Sequence, residues 1–285
     1  MTDTHADSGL RGFLNRGGFW RFVPVLLVYI IIYLGAGWVG SKLAGHFVTD
    51  DLLSSVGSVF FQLTLALIVG SVVLVAFSSY MGWTHDLFAR QPIYKSWWMW
   101  LGPIVALIPV VLRVFGISWG QHAFPIVALV LVTGLMIGFV EELLCRGIAV
   151  KMLRDGGHGE WAVAALSSLV FALIHSFNLL SGQSITTVGP TVVYTFAFGV
   201  LMYLTLRSVG FLIGAMIVHG LTDPTTILAS GGIDEITTSG SSSPIMNAAG
   251  GATLLLIVVG FVLLIFIRGK VAGTRATPNT DGVHA

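Results

Sequence analysis

Charge is what this sequence lacks. Lys, Arg, Asp and Glu supply 9% of its 285 residues, where a soluble domain carries about a quarter. Apolar residues supply 55%, and the mean hydropathy is +0.90. Such a composition excludes an ordinary soluble domain and points to the bilayer. The net charge is +1, which leaves no basic footprint for a nucleic-acid partner. There is a single cysteine, Cys145, so neither an intrachain disulfide nor a paired-Cys metal site can form. An HExxH run is missing, and so is an internal repeat of the kind transporters show. The first 19 residues hold no apolar core. The first long apolar run is therefore expected to be a retained anchor, not a signal peptide.

What is there is a succession of apolar runs. A membrane span needs about 20 residues. Such runs lie near 20–45, 57–82, 96–117, 124–153, 160–180, 190–208, 210–228 and 251–267. The expectation is an all-α, polytopic membrane helix bundle with about eight transmembrane helices. Residues 20–267 would form one integral-membrane domain between tails at 1–19 and 268–285. Pro224 should break the seventh helix near Asp223. Residues 229–250 read as a Gly/Ser/Thr-rich loop. Lys and Arg fall on one side: Arg11, Arg16 and Arg21, then Arg90 and Lys95, Lys151 and Arg154, Arg207, and finally Arg268, Lys270 and Arg275. The other side offers Lys42 and, depending on a boundary, Arg113. By the positive-inside rule both tails should be cytoplasmic, in a multi-pass protein of the plasma membrane. Trp97, Trp98 and Trp100 read as part of an interfacial belt. His158 and Glu160 should be solvated in a cytoplasmic turn.

Against this background three ionisable clusters stand out inside apolar helices. They are Glu141-Glu142-Leu-Leu-Cys-Arg146, Phe171-Ala-Leu-Ile-His175 followed by Asn178, and His219-Gly-Leu-Thr-Asp223. Each charged residue at a helix centre costs about 2.5 to 3.5 kcal/mol on the insertion scale, so an intramembrane cluster is a candidate functional site. At 1.5 Å per residue, Glu141, His175 and His219 lie roughly 18, 22 and 15 Å from the cytoplasmic ends of their spans. Three helices thus bring titratable groups to one level, which implies a shared, water-accessible cavity.

Spacing separates the roles. Glu142 and Arg146 are four apart and can pair. Glu141 is turned about 100° away and remains to face the cavity. A carboxylate with two imidazoles suits peptide hydrolysis, with Glu141 as the base that takes a proton from water and His175 holding that water. His219 and Asp223 would stabilise the oxyanion or orient its donors. Asp223 most simply fixes the tautomer of His219. Phe171 is a packing residue that wedges the His175 ring. Asn178 either adds polarity to the pocket or caps the fifth span. Cys145 is an apolar filler.

These motifs, EExxxR, FxxxH and HxxxD in order on successive spans, resemble the CPBP family of intramembrane proteases, also called Abi or CAAX prenyl protease 2-like. The resemblance covers roughly residues 124–228. It implies a glutamate-type endopeptidase with Glu141, His175, His219 and Asp223 at the site, Asp223 standing where many members carry Asn. Glu142, Arg146, Phe171 and Asn178 would support them. The substrate would be a membrane-embedded or lipidated protein or peptide. No cofactor is expected. The alternative is a zinc enzyme with Glu141, His175 and His219 as ligands. A non-catalytic scaffold or immunity protein on the same fold, and a proton pathway, are the other readings.

Overall fold

The computed structural model describes residues 9–49, 51–91, 96–232 and 243–271. Their regular structure is all helical. After a short helix α1 (Gly9–Asn15) come eight helices long and apolar enough to cross a membrane: α2 (Phe19–Leu43), α3 (Val56–Met81), α4 (Trp97–Gly116), α5 (Phe124–Asp155), α6 (Glu160–Leu180), α7 (Ile185–Val209), α8 (Leu212–Ser230) and α9 (Pro244–Phe266). Helices satisfy their own backbone, which is what a hydrocarbon environment demands. Large apolar side chains such as Ile31, Val72 and Ile265 face outward. Trp20, Trp97 and Trp161 are exposed at one end of the bundle, and Trp38 and Trp119 at the other, as interfacial belts require.

The eight expected spans are all present, with three differences. Helix α7 starts at Ile185, because Ser184 caps it by accepting from Thr187 N at 3.2 Å. Helix α9 starts at Pro244, so the expected 229–250 loop is narrower and residues 244–250 are helical. Proline suits a first helical turn, where its missing N–H is not needed. Asp234 and Glu235 lie outside the described residues, as do Lys95 and Arg275. Thirdly, α8 runs unbroken through Pro224. A Cβ at Gly134 would meet the Pro224 ring at 2.3 Å, so the glycine makes room for the proline. Thr225 Oγ1 donates to the Leu221 and Thr222 carbonyls at 3.3 and 2.8 Å in the turn around the proline.

Both described ends meet at the α5–α6 turn. Gly18 N donates to Met152 O at 2.5 Å, and Glu160 N donates to Gly269 O at 2.9 Å. Gly17 and Gly18 have φ of +60° and +97°, conformations open to glycine. Glu160 itself corrects an expectation. It is 1% exposed, not solvated. Arg154 holds it through Nε and Nη2 at 2.9 Å each. The Tyr203 hydroxyl donates to its Oε2, and Arg207 lies 3.6 Å away. Arg154 and Arg207 are thus buried partners of a carboxylate rather than loop charges. The sequence sign was right for a turn, but the folded turn is covered by α7.

Helices α5 and α8 pack closely, and this pairing positions the site. A Cβ at Gly138 would sit 2.4 Å from Met216 O and 2.5 Å from Gly220 N. Small residues let the two backbones approach. Glu141 and Glu142 follow one turn later on α5, opposite His219 and Asp223.

Candidate active site

Helix α5 is α-helical to Glu142 and then widens into a π-helix over Leu143–Ala149. Such widened turns recur at functional sites. Glu142 is fully buried. Its Oε1 accepts from Arg146 Nη1 at 2.9 Å and faces His219 Nδ1 at 2.8 Å. The Arg146 partner follows from spacing. The His219 partner belongs to another helix and carries no local signal. The Arg146 guanidinium lies 4.4 Å from the Phe171 ring centroid, a cation–π contact.

His219 is the hinge of the cluster. Its Nε2 lies 3.3 Å from Asp223 Oδ2 and 3.7 Å from Glu141 Oε2. Phe198 and Phe171 meet its ring edge-to-face at 5.0 and 5.5 Å. A neutral imidazole has one N–H. With a carboxyl group at each nitrogen, either the ring carries two protons or a carboxyl group carries one. An imidazolium with Arg146 and Arg113 would balance Glu141, Glu142 and Asp223.

His175 begins the 3-10 segment His175–Ser181 that ends α6. Its Nδ1 donates to the Phe171 carbonyl at 2.8 Å, which puts the ring lone pair on Nε2. Phe171 meets the His175 ring at 4.9 Å, edge-to-face. In a 3-10 helix residues three apart share a face, so Asn178 stands beside His175.

A cavity of 680 Å³ collects these groups. Glu141, Phe171, His175, Asn178 and Asp223 line it. His219 is not among the lining residues, so the three titratable groups expected to share one cavity divide. Glu141 and His175 face it, and His219 stands behind, 2% exposed. The Glu141 and Asp223 side chains are 26% and 24% exposed, while Glu142 is closed off. From Glu141 the lining runs along Gly37 to Ser41 of α2, Phe61 and Gln62 of α3, Arg113 of α4, Thr191 and Tyr194 of α7 and Thr253 of α9. Most lie in the half of their helix remote from the termini. Exposed Trp38, Val48 and Leu180 rim the opening on that side. Sequence reasoning missed Arg113 and the tyrosines as lining residues. An arginine inside an apolar run was the available signal, and it was spent on a loop count.

A zinc site would need Glu141, His175 and His219 to converge. Among the described residues no three His, Cys, Asp or Glu side chains are grouped as a metal ion requires. Both His219 nitrogens already face carboxyl groups. The arrangement does not fit the ion.

Residues 121–225 match the family model for type II CAAX prenyl endopeptidases, Rce1-like. Over that stretch the chain is similar to the CPBP family. The matched stretch holds all three ionisable motifs, from Glu141 to Asp223, and excludes α2, α3, α4 and α9. No curated protein and no solved structure matches the chain.

Proposed function

We propose that this protein is an intramembrane endopeptidase in which Glu141 activates water. The observation that carries the reading is the split between neighbours. Glu141 opens on a 680 Å³ cavity beside His175, while Glu142 is consumed by Arg146 and His219. Glu141 takes a proton from water as the oxygen attacks the peptide carbonyl carbon. His175, with its lone pair on Nε2, holds that water. The Asn178 amide, one 3-10 turn from His175 and lining the same cavity, serves the developing oxyanion. The C–N bond then breaks, and the proton held by Glu141 passes to the amine that leaves. Asp223 and Glu142 fix the ring of His219, whose Nε2 in turn orients Glu141. The site needs no metal in this scheme.

The distribution of Lys and Arg supports cytoplasmic termini. Arg11, Arg16, Arg21, Arg268 and Lys270 remain on the terminal face, against Lys42 on the other. The cavity then opens toward the outer face, and the substrate is a membrane-associated peptide segment reached from that side. Cysteine placed at Ser41 should react with an impermeant thiol reagent added outside whole cells, since native Cys145 is fully buried. Labelling confined to inverted vesicles would reverse the orientation.

Mass spectrometry of membrane peptides from cells with wild type or Glu141→Ala tests the function. Fragments should accumulate with wild type alone, and chelator-treated wild type should still produce them. Identical peptide sets would remove the protease reading. Activity lost on chelation and restored by zinc would recast Glu141, His175 and His219 as ligands.

A further inference from the structure

Arg113 lies one helical turn from the end of α4 and lines the same cavity as Glu141 and His175. It falls outside the residues matched to the family. Its neighbours in sequence are Val111, Leu112, Val114 and Phe115, so an apolar residue would suit the helix better. The side chain is 2% exposed. Nη2 donates to Thr253 Oγ1 at 3.1 Å, and that hydroxyl donates onward to Ala249 O at 3.0 Å. The guanidinium is therefore aimed by α9. Nη1 is buried and has no hydrogen-bond partner. A buried guanidinium N–H without an acceptor is unfavourable, and Arg is the side chain suited to carboxylates.

The cavity size limits what can bring the acceptor. A transmembrane helix is about 10 Å across and 30 Å long, too large for 680 Å³. A few extended residues fit. Glu141 and Asp223 give the lining its negative charge, and Arg113 is the guanidinium among the lining residues.

We propose that Arg113 binds a carboxylate carried by the peptide in this cavity and so selects which peptides meet Glu141. The proposal rests on the protease reading. Two sources share that chemistry, the peptide's terminal carboxylate and an Asp or Glu side chain.

The test uses full-length protein with Glu141→Gln, so that nothing is consumed. Three probes are titrated in detergent: N-palmitoyl-Leu-Leu-Ala as the free acid, the same peptide as its amide, and N-palmitoyl-Leu-Asp-Ala amide. One of the two carboxylate probes should bind at least about tenfold more tightly than the neutral amide, and which one names the source. Arg113→Gln should abolish the difference, and Arg113→Lys should keep part of it. Equal or absent binding of all three probes to protein with Arg113 intact would overturn the assignment, with no need for the variant to fold. So would a preference that survives Arg113→Gln. Neither result bears on cleavage, which the Glu141→Ala comparison reads separately.

Discussion

Two buried ionic clusters in this bundle are each built on a glutamate–arginine pair and end differently. At the terminal face, Glu160 receives two bonds from Arg154 and one from Tyr203, with Arg207 close by. Every atom of that carboxylate is answered, and the cluster ties α5, α6 and α7 together. Midway along α5, Glu142 is closed off as well, with Arg146 and His219 both on its Oε1 and its Oε2 buried without a hydrogen-bond partner. Its neighbour Glu141 is not enclosed, and neither is Asp223. An intramembrane carboxylate sealed by its partners is a fastener. One left on the wall of a cavity can take a proton from something that enters. The difference that matters here is closure, and no composition count could have shown it.

The sealed carboxylates should show the largest stability effects. Glu160→Gln leaves Arg154 and Arg207 buried without their charge partner, and Glu142→Gln does the same to Arg146. Removing one side of a buried pair costs roughly 3 to 5 kcal/mol, read as a lowered melting temperature in detergent. Glu160→Gln should keep whatever cleavage its surviving folded fraction supports. Glu142→Gln should lose cleavage as well, because His219 loses the carboxylate charge that faces its Nδ1. Equal melting temperatures for wild type and Glu160→Gln would break the comparison.

Smaller effects are expected at the glycines that bring the helices together. In Gly138→Ala the new methyl meets backbone atoms of α8 at 2.4 and 2.5 Å. Overpacking of that kind costs about 1 to 3 kcal/mol and should weaken cleavage by shifting Glu141 relative to His219. In Gly199→Ala the new methyl meets Arg146 Nη2 at 2.8 Å and Ser168 Cβ at 2.9 Å, and the nearest backbone atom is Ser168 Cα at 3.1 Å. Its cost should fall in the lower part of that range. Melting curves on the two variants should rank them in this order.

The spans were legible in the sequence because about 20 apolar residues in a row allow little else. The Glu142–Arg146 pair was legible because four residues make one helix face. What could not be read needed the third dimension. Glu160 looked like a turn residue because Tyr203 and Arg207 reach it from 43 and 47 positions away along the chain. His219 looked like a cavity residue because its depth was right, but depth does not say which way a ring faces. Pro224 looked like a break because its accommodation depends on Gly134 of another helix. Arg113 looked like a boundary marker because Thr253, which aims it, lies on α9.

The measurement closest to the central claim pairs activity with stability on one purified variant. Glu141→Gln keeps the shape of the side chain and removes the base. General-base groups contribute about 10² to 10⁴ in rate, so cleavage of a peptide identified in wild-type membranes should fall by at least about a hundredfold, with the melting temperature unchanged. Cleavage at the wild-type rate in a folded Glu141→Gln protein would contradict the account.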